Sequence, residues 1–389
     1  MRIAILAPGS YPRAMGKLAG GIIQYAAAMA EGYTSLGHDV HVFARGPESG
    51  TDALGEATVH YTKAAEAAGL RRVTAILVDE LRTLRAFRQV AARARFDVIE
   101  VIDWNTPALL SAMAARRAKV IVKLHGPRDY FADMPDYPVR RLEHVGAWRE
   151  RRLATGADLL CSADAKLARD MTRIWGLPTV PPTIPDPVRP PETSPPRATA
   201  GSERAFRIIA VGRLEPRKDP LTLIRALREL GSVLPWTATI VGPDTPTPGG
   251  GSYKAAMLEE LDDAISERVS FIDHASREEL WELYARSDVA VVCSVDGNFG
   301  YTTMDPMTVG LPVITTSPDG KLDSPYVRDG KTALVYRTGN YPELARHLAR
   351  LATDRRFAAR LGHAGGEHVL AHLSSPKIAG RLLDALAAA

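Results

Sequence analysis

Two cysteines in 389 residues, Cys161 and Cys293, are too few for a disulfide framework. Each sits in an apolar, strand-like run, so buried free thiols in a reducing compartment are expected, not a bridge or a zinc site. No apolar stretch reaches the roughly 18 uninterrupted residues that crossing a bilayer would need. Met1-Arg2 leads straight into Ile3-Ala4-Ile5-Leu6 and then Pro8-Gly9, too short an apolar run for a secretory signal, and a cytoplasmic location is the expectation. Charge of one sign is scarce as well: 49 basic against 45 acidic residues leave a net +4, which does not mark nucleic acid as a partner. No His/Cys cluster has ligand spacing and no Asp-X-Asp triplet follows a strand, so no metal is expected. A nicotinamide fingerprint is missing too. About ten residues (SYPRAMGKLA) separate Pro8-Gly9 from Gly20-Gly21, and the second strand ends in Ala44-Arg45 where an acid would be required.

What is present is an alternation of apolar runs with helical patterns, which predicts βα units and mainly parallel sheets in two domains. Strands are predicted at 2–6, 40–43, 97–101, 120–123 and 158–161, and again at 206–211, 236–241, 269–272, 288–293 and 311–314. Ile22, Ala26, Met29, Tyr33 and Leu36 recur at helical spacing ahead of Gly37. Ser276 with Glu279, and Asn340 with Glu343, read as capping boxes. Proline density from Pro178 to Ser202 suits neither helix nor central strand. The division expected is a first Rossmann-like domain over 1–185, a proline-rich linker over 186–203, a second Rossmann-like domain over 204–373, and a final amphipathic helix over 374–389 with Ile378, Leu382, Leu383 and Leu386.

Several segments could carry chemistry. Gly20-Gly21 opens a helix, where bare amides suit a phosphate; a packing-driven helix start is the competing explanation. His125 ends the strand VIVKLHG at the sheet edge where open α/β folds place ligands, although a lone histidine is often structural. In VGRLEPRKDPLTLIRAL, Arg213 and Lys218 can converge on a diphosphate, or be two solvated charges, as Arg217 is expected to be. In SVDGNFGYTTMDPMTVGLPVITT, glycines let main-chain amides approach a polyhydroxylated ring, and Asp305 can accept from both hydroxyls of a ribose.

Taken together these segments resemble the retaining glycosyltransferases of the GT-B fold, family GT4. The resemblance covers nearly the whole chain: RIAILAPGSYP with Gly20-Gly21, the LHG at His125, VGRLEPRKDP, VSFIDHASREELWELYARSDVAVVCS, and FG…D…GLPVI. It implies two Rossmann-like α/β domains whose parallel sheets face across a cleft. By it, Arg213 and Lys218 hold the donor diphosphate, Gly20 and Gly21 lie beside the donor phosphate and the acceptor, and His125 approaches the transferred sugar. Backbone at Ile272 to His274 faces the base, while Gly297, Asn298, Phe299, Gly300, Tyr301 and Thr302 bind sugar hydroxyls and phosphate. The family's two glutamates, eight positions apart, are replaced by Gly297 and Asp305; Asp296 is the candidate substitute for the first.

The activity implied is metal-independent transfer, with retention, from a nucleotide-diphosphate-sugar to a small-molecule or glycan acceptor, with no cofactor beyond the donor. A nucleotide-sugar epimerase or phosphorylase on the same scaffold, or a non-catalytic nucleotide-binding relative, are the competing readings. Acceptor specificity is assigned to 10–17, Trp104-Asn105 and 127–140, where Tyr130, Phe131 and Tyr137 could stack on a ring. Arginines crowd two helical regions, at 71, 72, 82, 85, 88, 93 and 95 and, around Trp148, at 140, 141, 149, 151 and 152. Such stripes can dock on anionic lipid, but because Asp79, Glu80, Glu143 and Glu150 intervene, a solvated face is the favoured reading and membrane contact the lesser alternative.

Overall fold

Buried apolar strands alternating with amphipathic helices build two α/β units in the computed structural model, which describes the chain except 11–19, 66–70, 104–108, 115–116, 133–142, 194–203, 232–233, 248–249, 298–299 and 321–323. The first unit runs to Pro187 and takes back Leu373–Ala389; the second spans Val188–His372.

In the first unit the order is β1 (Arg2–Ser10), α1 (Gly21–Ser35), β2 (Asp39–Gly46), β3 (Gly50–Leu54), β4 (Ala57–Lys63), α2 (Arg71–Ala91), β5 (Val98–Ile102), α3 (Leu109–Ala114), β6 (Lys119–Leu124), α4 (Arg128–Ala132), α5 (Glu143–Thr155), β7 (Leu159–Ser162) and α6 (Ala165–Trp175). Its sheet has the order β3-β4-β2-β1-β5-β6-β7, parallel except for β3 on β4. The second unit follows with β8 (Phe206–Val211), α7 (Pro220–Leu230), β9 (Trp236–Val241), α8 (Tyr253–Glu260), α9 (Asp263–Ser266), β10 (Val269–Ile272), α10 (Arg277–Arg286), β11 (Val289–Val291), α11 (Tyr301–Thr308), β12 (Val313–Ser317), β13 (Leu334–Arg337), α12 (Tyr341–Thr353) and α13 (Arg355–Leu373). Its sheet runs β10-β9-β8-β11-β12-β13. Strand order reverses between β1 and β5 in the first sheet and between β8 and β11 in the second, the positions where open α/β sheets form a ligand crevice at their carboxyl edge.

Parallel strands covered on both faces must be apolar throughout. β8 (FRIIAV) and β6 (KVIVKL) largely comply, with cores around Trp175, Phe43 and Val101 in one unit and Trp236, Ile240 and Leu227 in the other. The last helix, α14 (Ser375–Ala388), buries Ile378 and Leu382 and packs against α1. The approach is close enough to require glycine at position 32, where a β-carbon would lie 2.4 Å from the Ser375 carbonyl oxygen.

Several expectations need correction. The β3–β4 hairpin and β13 (LVYR) were not predicted; β3 (GTDAL) is mostly exposed and so leaves no apolar run. Leu36, placed among the core positions of α1, is exposed. The Ser276–Glu279 capping box forms in both directions, but Glu343 takes the Arg337 amide and the Asn340 side chain instead of closing its box. Part of the proline-rich run is packed: Ser162 donates to Pro182, Ile184 donates back to Ser162, and Ile184 and Val188 are buried. The acids among the arginines of α2 and α5 turn inward. Asp79 pairs with Arg45 (3.0 Å), Glu80 with Arg149 and Glu150 with Arg128, and all three carboxylates are buried; Glu143's side chain lies outside the described residues. Both cysteines are buried free thiols, pushed up to about 12 by burial.

Candidate active site

In the second unit, β8 ends at the reversal point and hands the chain to Gly212, Arg213 and Leu214, then to a 3-10 turn over Pro216–Lys218. Asp219 follows in the left-handed region (φ 42°), which aspartate tolerates, and its carboxylate accepts from the Thr222 hydroxyl (2.5 Å) as Pro220 starts α7. The turn directs Lys218 into a pocket lined by Gly212, Arg213, Val292 and Ser294. The ammonium donates to the Ser294 hydroxyl at 3.0 Å and has no carboxylate at ion-pair distance among the described residues. Burial, then the neighbouring Arg217, push Lys218 down to about 8, more than Asp296 and Glu215 pull it up. A cation drawn partly out of water with no carboxylate paired to it costs stability, which marks a ligand site more than a structural one.

Arg213 is 58% exposed and rests on Glu215 (3.2 Å). Arg217 is not the solvated charge expected: it pairs with Asp296 (2.8 Å) and Glu215 (3.1 Å). Its carbonyl also accepts from Val295, so the turn after β8 is stitched to the loop after β11. Asp296 is buried, and its Oδ1 has no hydrogen-bond partner among the described residues. Gly297 has φ +61°, and a β-carbon there would meet Pro318 Cδ at 2.9 Å and Ser317 Cα at 3.1 Å. The local backbone therefore disfavours the glutamate that the family resemblance would place there. Asn298 and Phe299 lie outside the described residues. Gly300 caps α11, with open space where its β-carbon would be, and Tyr301 and Thr302 form the first turn, partly buried.

Asp305 lies on α11 with its carboxylate buried against Arg277 (3.2 and 3.3 Å). Burial raises its pKa in spite of that guanidinium, which also donates to the Arg189 carbonyl and stacks on Trp281. The Ile272 carbonyl is taken by the Gly242 amide (2.9 Å), and His274 is exposed ahead of α10.

In the first unit, Gly20 caps α1 without a side-chain bond; no described atom lies within 4 Å of where its β-carbon would be, and Gly21 is exposed beside it. Packing among the described residues does not call for glycine there. His125 follows β6, with Nε2 3.1 Å from Asp186 Oδ1 and Nδ1 3.2 Å from the Lys123 carbonyl. Neither partner can donate, so both ring nitrogens do, and the ring is an imidazolium. Burial opposes that charge, but Asp186, aided by Asp103 and against Lys123, raises the pKa above its usual value. Asp103 also accepts the His125 and Gly126 amides (2.9 and 3.1 Å). Beneath lies Lys123, fully buried, bonded to Asp186 (2.9 Å) and the Pro185 carbonyl (2.9 Å) and facing the Tyr25 ring. Glu100, buried in β5, accepts from Tyr25 and Tyr33.

Sequence reading missed Asp103, Asp186, Ser294 and Arg277. Glu100 and Lys123 did leave a signal, a charge inside an otherwise apolar parallel strand, since such charges are buried only with partners.

Comparison with known proteins bears on both units. Residues 196–368 match the family model described as glycosyl transferases group 1, and residues 20–185 match a glycosyl transferase 4-like domain. A D-inositol 3-phosphate glycosyltransferase from Nocardia farcinica is 30% identical over 280 residues, covering 68% of this chain and 58% of that protein. One of the same name from Stackebrandtia nassauensis is 27% identical over 90% of this chain and 83% of its own length. With the Nocardia and Corynebacterium efficiens relatives, the match spans only 58% and 42% of their lengths. Sucrose-phosphate synthase from Thermosynechococcus elongatus shares the fold over 100% of this chain and 99% of its own (TM-score 0.76, 19% identity). So does Anabaena HepE solved with UDP and glucose, over 100% and 99% (TM-score 0.68, 17% identity).

Proposed function

The chain belongs to the group 1 glycosyl transferases, and from that premise we propose that it moves a sugar, with retention, from a nucleotide-diphosphate donor to a small hydroxylated acceptor. The observation that carries this reading is Lys218: a half-buried ammonium with no carboxylate at ion-pair distance among the described residues, at the reversal point of the second sheet. The donor's diphosphate supplies the missing counter-charge. Arg213, exposed and held among the described residues only by Glu215, swings its planar fork onto the same group. As the bond from sugar to phosphate breaks, negative charge grows on the leaving diphosphate, and these fixed cations stabilise it without a metal. Attack comes from the same face, and the departing phosphate takes the acceptor's proton. Asp305, shaped by Arg277, reads the ribose, and the free Oδ1 of Asp296 accepts from a sugar hydroxyl. The names of the inositol-phosphate relatives support a small polyol acceptor.

The test is a panel of UDP-, GDP-, ADP- and TDP-sugars, with and without a polyol acceptor. Transfer with the anomeric configuration kept supports the reading. Conversion of the donor without acceptor would make the chain an epimerase. No consumption of any donor would favour a non-catalytic binder, a reading suggested by the missing carboxylate at Gly297.

His125 holds a fixed positive charge at the carboxyl edge of the first sheet, a charge the family resemblance assigns to the sugar-transfer step. The sign of its pH dependence follows from the charged ring being the active form: activity persists as pH rises until the raised pKa is passed. Asp186→Asn removes the main support for that charge, so the alkaline limb of the kcat profile should move to lower pH while donor KM changes little. Histidine NMR titration checks the cause. An unmoved limb with a shifted His125 would remove this ring from the chemical step.

A further inference from the structure

We propose that the outer face of the layer formed by α2, α3 and α5 docks on an anionic lipid bilayer. The three helices adjoin: α2 packs on α3 and α3 on α5, and buried Glu80 of α2 ties them by accepting the Leu110 amide (2.8 Å) and pairing with Arg149. Away from these contacts the layer exposes large apolar side chains: Leu77 and Leu81 of α2, Met113 of α3, and Val145 and Trp148 of α5, with Leu81 at 57%, Met113 at 62% and Trp148 at 61%. Single exposed leucines are ordinary, whereas five large apolar side chains exposed on adjoining helices exceed scattered single exposure.

Spacing sets cations beside them. Leu77, Leu81, Arg85 and Arg88 fall on one face of α2, and Val145, Trp148 and Arg152 on one face of α5. Arg85, Arg88 and Arg152 have no ion-pair partner among the described residues, and Arg82, Arg117 and Arg151 are exposed nearby. Arg82 and Arg151 do bond the Lys63 and Trp175 carbonyls. The carboxylates that would offset this charge, Asp79, Glu80 and Glu150, are buried and already paired, so no described carboxylate of the three helices is exposed. Tryptophan with leucine on a cationic face suits a membrane interface, the rings and alkyl chains entering the headgroup layer while guanidinium groups bind lipid phosphate. A second copy of the chain would bring the same cationic face against itself, and like charges repel.

The measurement is flotation of the whole chain with vesicles of phosphatidylcholine, with and without phosphatidylglycerol, at low and high salt. Binding is expected only with phosphatidylglycerol, and weakened by salt. The double variant Arg85→Glu, Arg88→Glu and the variant Trp148→Ser should each reduce the floated fraction about tenfold, while Arg286→Glu, a charge reversal at an exposed site in the second unit, should leave it unchanged. Circular dichroism establishes that each variant is folded. Failure to float, equal binding to both vesicle types, or equal loss in Arg286→Glu would overturn the proposal. So would a dimer in sedimentation that Trp148→Ser dissociates, with no vesicle binding.

Discussion

Lys218→Met is expected to transfer sugar about a hundred- to a thousandfold more slowly than the parent chain, and yet to be the more stable protein. The loss arises because the ammonium faces the charge that grows on the leaving diphosphate. The gain arises because, without donor, that ammonium is half-buried with, among the described residues, only the Ser294 hydroxyl for a partner. An unfolded lysine keeps its proton to about pH 10, whereas Lys218 in the fold loses it near 8. Between those values the unfolded chain holds more protons, so stability rises with pH across the window, and below it the penalty is fully present. Methionine of similar length removes the penalty and should add about 1 to 2 kcal/mol at neutral pH, read by urea unfolding. The parent's kcat/KM for donor should move the other way, falling above about pH 8 as the free enzyme loses the charge. A Lys218→Met chain that is less stable and still active would make this lysine structural.

Gly297→Glu should lower stability by about 2 to 4 kcal/mol and raise no activity. The family resemblance places glutamate at the position, so a simple reading would call the substitution a repair. The backbone argues otherwise: φ is +61°, and any β-carbon would press on Pro318, on Ser317 and, at 3.3 Å, on the Thr316 carbonyl. The loop has instead committed its carboxylate one residue earlier, where Arg217 holds Asp296. Thermal unfolding with donor-turnover assays would check this. A variant of unchanged stability and higher turnover would mean the loop readily reshapes to present a glutamate.

Much of this was readable from the residues, and the exceptions have a common cause. The strands at 206–211, 236–241 and 269–272 fall where the apolar runs predict them, because each is a β-branched or aromatic stretch between turn residues. The exposed β3 carries no such signal, since an edge strand need not be apolar. At the site, local spacing was enough to put Arg213 and Lys218 on one turn. The groups that set their behaviour come from far along the chain: Ser294 lies 76 positions after Lys218, and Asp186 lies 61 after His125. Tertiary packing alone brings these together. Arg217 was misread for the same reason, its partner Asp296 being 79 positions away.

The central claim is that Lys218 receives the donor's diphosphate, and proton linkage measures it most directly. Calorimetric titration of the tightest binder among UDP, GDP, ADP and TDP, just above pH 8 in buffers of different ionisation enthalpy, counts protons taken up on binding. Uptake of a substantial fraction of one proton by the parent chain, lost together with most of the affinity in Lys218→Met, is the predicted result. Nucleotide binding with no proton uptake, and undiminished in Lys218→Met, would contradict it.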